Sequence, residues 1–71
     1  MHLFGIDEFY RRRNEYISNR KYTKKVILDM MEKEYERLGQ KFSETRREIE
    51  GRKLRPVMIN RLVTLQMKEK V

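Results

Sequence analysis

The sequence predicts an all-α protein. Three observations predict it. Apolar residues recur at helical spacing in successive segments, strict apolar–polar alternation is absent, and the chain breakers are few: Gly5, Gly39, Gly51 and Pro56. The expected order within one domain, residues 1–71, is a short basic helix, a long heptad-patterned helix, a turn and a closing helix.

The first helix is expected over residues 7–19. Ile6, Phe9, Tyr10, Tyr16 and Ile17 form an apolar stripe interrupted at Arg13. Asp7 and Glu8 suit a helix start, where carboxylates face the positive end of the macrodipole. Asp7 with Arg11 and Glu8 with Arg12 have the spacing of stabilising i,i+4 pairs. Ser18-Asn19 is the expected stop.

The second helix is expected over residues 23–50, with Thr23 as its N-cap. Leu28, Met31, Tyr35, Leu38, Phe42, Thr45 and Ile49 are spaced alternately by three and four, an a/d register that marks lengthwise packing against another helix. Asp29 with Lys33 and Glu48 with Arg52 supply pairs along it. Gly39 lies inside this span, at a helix-interior cost of about 1 kcal/mol. The uninterrupted register favours one helix through Gly39. The alternative is a break there, with Ser43 starting another helix. Leu38 and Phe42 are expected among the most buried residues.

Gly51 ends the long helix, residues 51–56 form a turn, and Pro56 suits the first turn of the closing helix, residues 57–70. Met58, Leu62 and Leu65 continue the helical spacing, and Ile59, Val63 and Val71 widen the face. The β-branched residues of "VMINRLVTL" also admit a strand, but alternation is lacking. A hairpin of the last two helices would bring Lys68 and Lys70 beside Lys21, Lys24 and Lys25, leaving Arg52, Lys53 and Arg55 at the opposite end.

Composition narrows the function. The chain has 71 residues, 18 Lys+Arg against 11 Asp+Glu, and a formal net charge of +7. It has no Cys, which excludes a disulfide or thiolate metal site, and its one His is His2. No metal or cofactor is expected. A domain this small buries little surface, so a partner subunit is a natural source of further stability. No apolar run reaches a membrane span, and "MHLFGIDEF" lacks the pattern of a signal peptide, so the expected location is the cytoplasm. His2 in place of Gly excludes myristoylation.

The charge is uneven. Residues 11–25 hold seven cations and one anion, residues 51–71 hold six cations and one anion, and the stretch between them is slightly acidic. Arg11, Arg12, Arg13, Arg20, Lys21, Lys24, Lys25, Arg52, Lys53 and Arg55 are the candidate phosphate contacts of a nucleic-acid-binding surface. Tyrosines among cations offer stacking faces for unpaired bases. The competing interpretation is a solvated helix face with Tyr10 and Tyr16 in the core. "RRRNE" follows the order of a basic helix-loop-helix regulator, but Phe9 and Tyr10 stand where that family places a base-reading glutamate, and no family is assigned. A helix-turn-helix over "YERLGQKFSETRREI" would need the break at Gly39 and would aim Arg46 and Arg47 at DNA.

Leu28, Met31, Tyr35, Leu38, Phe42, Ile49, Met58, Leu62 and Leu65 form the expected helix-packing or dimer seam, used within the chain or in a homodimeric coiled coil. No catalytic constellation is present: carboxylates sit at the spacing of salt-bridge partners, and Lys33 and Arg37 neutralise Glu32 and Glu36. The expectation is a non-enzymatic nucleic-acid-binding protein. The alternative is an adaptor or inhibitor that binds a protein through its apolar helix faces, with methionines such as Met30, Met31, Met58 and Met67 as an adaptable surface.

Overall fold

Gly39 decides the topology. Its φ is 74°, the left-handed region that a side chain penalises, and the chain reverses there. The computed structural model describes residues 5–69, and these form four helices with no strand among them. They are α1 (Ile6–Ser18), α2 (Lys24–Arg37), α3 (Glu44–Gly51) and α4 (Arg55–Gln66). The expected helix over residues 23–50 is therefore two helices, divided at the glycine that sequence marked as its one weak point. His2, Lys70 and Val71 lie outside the described residues.

The division is chemically specific. At the end of α2 the Gly39 N–H donates to the Glu36 carbonyl at 3.0 Å, and the Gln40 N–H donates to the Tyr35 carbonyl at 2.8 Å. These two bonds, with glycine in the left-handed position, are a Schellman motif. Ser43 then caps α3, its hydroxyl accepting from the Arg46 N–H at 3.1 Å. Thr23 caps α2 in the same way, accepting from the Val26 N–H at 3.3 Å. Asn19 ends α1, and Pro56 lies in the first turn of α4.

A substitution tests this geometry by the sign of its effect. In a continuous helix Gly39→Ala would stabilise by about 1 kcal/mol. At φ 74° it is expected to destabilise by about 1 kcal/mol instead, because the new Cβ meets the left-handed penalty. Urea unfolding followed by circular dichroism measures the sign directly.

α3 runs antiparallel to α2 and packs against it, and α4 runs parallel to α2 and packs between α1 and α2. The body is flattened, 36 × 31 × 16 Å. The central position of α4 explains its unusual sequence. Met58, Ile59, Leu62, Val63 and Leu65 are buried in two directions, so apolar residues spread around the helix rather than along one stripe. Ile27 and Met31 of α2 complete the core.

The core is placed differently from the sequence expectation. Leu38 and Phe42 are only partly buried and flank the core, with Phe42 against the Tyr35 ring at 4.8 Å between centroids. Leu38 is the C-cap residue of α2. Ile49, also assigned to the seam, is exposed. The seam fails to continue because α3 turns back. Its upstream part, Leu28, Met31, Tyr35 and Leu38, packs within the chain together with Met58, Leu62 and Leu65. Among the described residues no helix is long and apolar enough to cross a membrane.

Candidate nucleic-acid interface

The break at Gly39 also redistributes the cations. An extra reversal makes α4 run parallel to α2, so the loop before α2 and the turn before α4 lie at the same end. Lys24 Nζ donates to the Gly51 carbonyl at 3.3 Å, and Arg55 donates to the carbonyls of Asn19 and Tyr22 at 3.1 and 2.9 Å. Arg52 and Lys53 therefore join Arg20, Lys21, Lys24 and Lys25 at one end. The expected separation of these two groups is overturned. Lys68 lies at the other end, where its carbonyl accepts from Arg37 at 2.9 Å, rather than beside Lys21 and Lys24.

Three of these cations are partly offset by carboxylates. Lys25 pairs with Asp29 at 3.3 Å, Arg52 with Glu48 at 2.7 Å and Lys53 with Glu50 at 3.5 Å. Asp29 also accepts from Arg47 at 2.8 Å. Bonds from Arg47, and then from Lys25, hold the Asp29 carboxyl below its usual titration range. Arg20, Lys21 and Lys24 are exposed and lie in no ion pair among the described residues. Lys21 sits over the Tyr22 ring, 5.3 Å from its centroid.

The α1 cations are engaged in other ways. Glu8 accepts from both Arg11 and Arg12, at 2.7 and 2.6 Å, so the expected Asp7–Arg11 pair gives way to a shared carboxylate. Those bonds hold the Glu8 carboxyl below its usual range and raise Arg11. Lowered carboxyl groups stabilise the fold above the ordinary carboxylate range, and that contribution is lost as pH falls below this range and through the lowered values. Arg13 donates to Asn60 at 2.6 Å, which ties α1 to α4.

Arg55 has no freedom to meet a ligand. Its guanidinium donates to the carbonyls of Tyr16 (2.7 Å), Ile17 (3.0 Å), Asn19 and Tyr22. It closes the C-terminal end of α1, where free carbonyls and the negative pole of the macrodipole favour a cation. Arg37 does the same for α4, donating to the Leu65 and Lys68 carbonyls, both at 2.9 Å.

The tyrosines divide. Tyr16 is half-buried, hydrogen-bonded to Gln66 at 3.0 Å and edge-on to Tyr22 with centroids 4.7 Å apart. Tyr10 is 52% exposed and lies edge-on to Phe9. A helix-turn-helix order does exist across Gly39, but its second helix does not present both expected arginines. Arg47 is folded onto Asp29 and Glu32 of α2, and Arg46 faces Glu50 at 4.0 Å.

Two features were not singled out in the sequence. Glu50 is fully buried at the C-terminal end of α3, ringed by Arg61 at 2.6 Å, Lys53 and Arg46. Its bond raises Arg61 above the ordinary arginine range. Asn60, Arg61 and Thr64 are polar interruptions in the apolar middle of α4, and the i,i+4 spacing of Asn60 and Thr64, with Arg61 beside them, was the available signal. Among the described residues no group of three or more His, Cys, Asp or Glu side chains could hold a metal ion. No protein-family model, curated protein or solved structure matches the chain.

Proposed function

We propose that the chain is a non-enzymatic nucleic-acid-binding protein whose basic end grips phosphate. The single observation that supports this reading is the convergence of two basic segments, about thirty residues apart in sequence, on one end of the fold. Separate solvated faces do not require such convergence. Arg20, Lys21 and Lys24 are the principal contacts, with Lys25 and Arg52 able to exchange their surface carboxylates for phosphate, while Lys53 is held by the buried Glu50 and adds its charge nearby. Exposed ion pairs contribute little, so exchanging them costs little. Arg55 holds the end together. Arg11, Arg12 and Arg13 brace α1 and lie outside the principal contact. Tyr10 is exposed but sits beside Arg11, away from the basic end, so it lies outside the principal contact as well.

Association with duplex and single-stranded probes, measured over a range of salt, tests the proposal. Binding through three to five phosphates predicts a slope of log affinity against log salt of roughly −3 to −5 on duplex DNA, from about 0.9 per contact. Affinity should change little with base sequence, since phosphate contacts carry no sequence information. An absence of salt-sensitive binding at low ionic strength would leave these cations as a solvated face.

A further inference from the structure

The outer face of α4 carries a cleft of about 150 Å³, lined by Asn60, Arg61, Thr64, Leu65 and Lys68. It is separate from the basic end described above. Two of its five lining residues are cationic, two are neutral and polar, and only Leu65 is apolar. No carboxylate lines it.

Each polar group is held in place from behind. Arg13 donates to Asn60 Oδ1 at 2.6 Å, which leaves the amide N–H₂ group as the free donor of Asn60. Arg61 uses its Nε on the buried Glu50 at 2.6 Å and its guanidinium also lies beside Tyr35, which leaves part of its terminal N–H donors for another acceptor. The Lys68 backbone is fixed twice, through its own N–H to the Leu65 carbonyl at 3.1 Å and through its carbonyl to Arg37. The Lys68 ammonium has no carboxylate partner within 4.0 Å among the described residues. Thr64 donates to the Asn60 carbonyl at 2.8 Å, which orients its hydroxyl.

The local charge is positive even though Arg61 has a counter-ion. Glu50 is one carboxylate among Arg46, Lys53 and Arg61. That leaves an excess of positive charge behind the cleft, and Arg13 and Lys68 add more at its edges. Oriented N–H donors on a prearranged cationic surface match the several acceptor oxygens of a tetrahedral anion better than the two of a carboxylate.

We propose that this cleft is a phosphate site, which binds a phosphoryl group through Asn60, Arg61 and Lys68. The group comes either from a small phosphate monoester or from the backbone of a bound nucleic acid. The two sources share the recognition chemistry.

Titration of the full chain with inorganic phosphate, followed by amide and side-chain NMR at constant ionic strength, tests the site. Saturable shifts are expected at the Asn60 side-chain amide and at the Thr64 and Lys68 backbone amides. Chloride at the same ionic strength should not reproduce them. Lys68→Gln should weaken the phosphate affinity about fivefold. Thr64→Glu, which places a carboxylate in the cleft at an exposed position, should abolish saturation with the spectrum otherwise unchanged. Lys24→Gln at the basic end should leave it intact, which separates this site from the proposed interface. A short oligothymidine that displaces phosphate would identify a backbone phosphate, and one that does not would identify a monoester. Shifts that track ionic strength alone, or saturation that survives Thr64→Glu, would overturn the proposal.

Discussion

Glu50→Ala is expected to destabilise the protein by about 3 kcal/mol. The carboxylate is fully buried, and Arg61 donates to it at 2.6 Å. Removing one member of a buried pair costs about 3–5 kcal/mol because the remaining charge is left without its partner. The low end applies here, since the Arg61 and Arg46 side chains keep 41% and 47% of their exposure and can turn toward water. A domain of this size has a total stability of only several kcal/mol, so the variant should be substantially unfolded at modest urea concentrations. The double variant Glu50→Met with Arg61→Met separates charge from packing. It should recover most of the loss, because an apolar pair of similar volume removes the desolvation cost of both ions. Equilibrium urea unfolding of the three proteins measures this.

Arg55→Ala should have an effect of similar size, but a local one. Its guanidinium serves four carbonyls at the end of α1 and in the following loop. Hydrogen bonds to a charged group contribute about 1.5–3 kcal/mol each. Here they share one guanidinium, and a total near 3 kcal/mol is expected. α1 is the helix most sensitive to this loss, since it contributes no fully buried residue. Its hold on α4 rests on partly buried Phe9, Tyr16 and Ile17, on Arg13 with Asn60, and on Tyr16 with Gln66. Hydrogen exchange should therefore accelerate across α1 while the amides of α4 keep most of their protection. Arg55→Lys keeps the charge but cannot fork to several carbonyls, and it should restore less than half of the protection.

Local signals in the sequence carried much of this fold. The Thr23 cap and the stop at Asn19 each depend on nearby backbone chemistry, and each is where sequence placed it, whereas the turn is shorter than the expected 51–56 and the closing helix runs Arg55–Gln66 rather than 57–70. Gly39 shows the limit. Phe42 keeps the heptad spacing across it, yet it folds back on the Tyr35 ring instead of continuing a seam. Spacing cannot distinguish a seam that continues from one that reverses. The decisive signal was a left-handed-tolerant glycine followed four residues later by a capping serine. Glu50 and Arg55 were not legible as structural residues, because their partners lie on other helices and loops. A glutamate in a charged helix and an arginine in a basic turn look the same in sequence whether they meet solvent or a buried partner. The meeting of the two basic segments was missed for the same reason as Gly39: one unrecognised reversal sends every later cation to the other end.

The most direct test compares two variants of equal charge. In one, Arg20, Lys21 and Lys24 at the basic end are changed to Gln. In the other, Arg11, Lys33 and Lys41 are changed to Gln; all three are also exposed, but lie away from that end. Both lose three positive charges, so bulk electrostatics changes equally. The measurement is the slope of log affinity against log salt for duplex DNA. The basic-end variant should lose roughly 2–3 from the magnitude of the slope, at about 0.9 per phosphate contact, and the second variant less than about 1. Equal losses in the two variants would contradict a localised interface and reduce the binding to net charge alone.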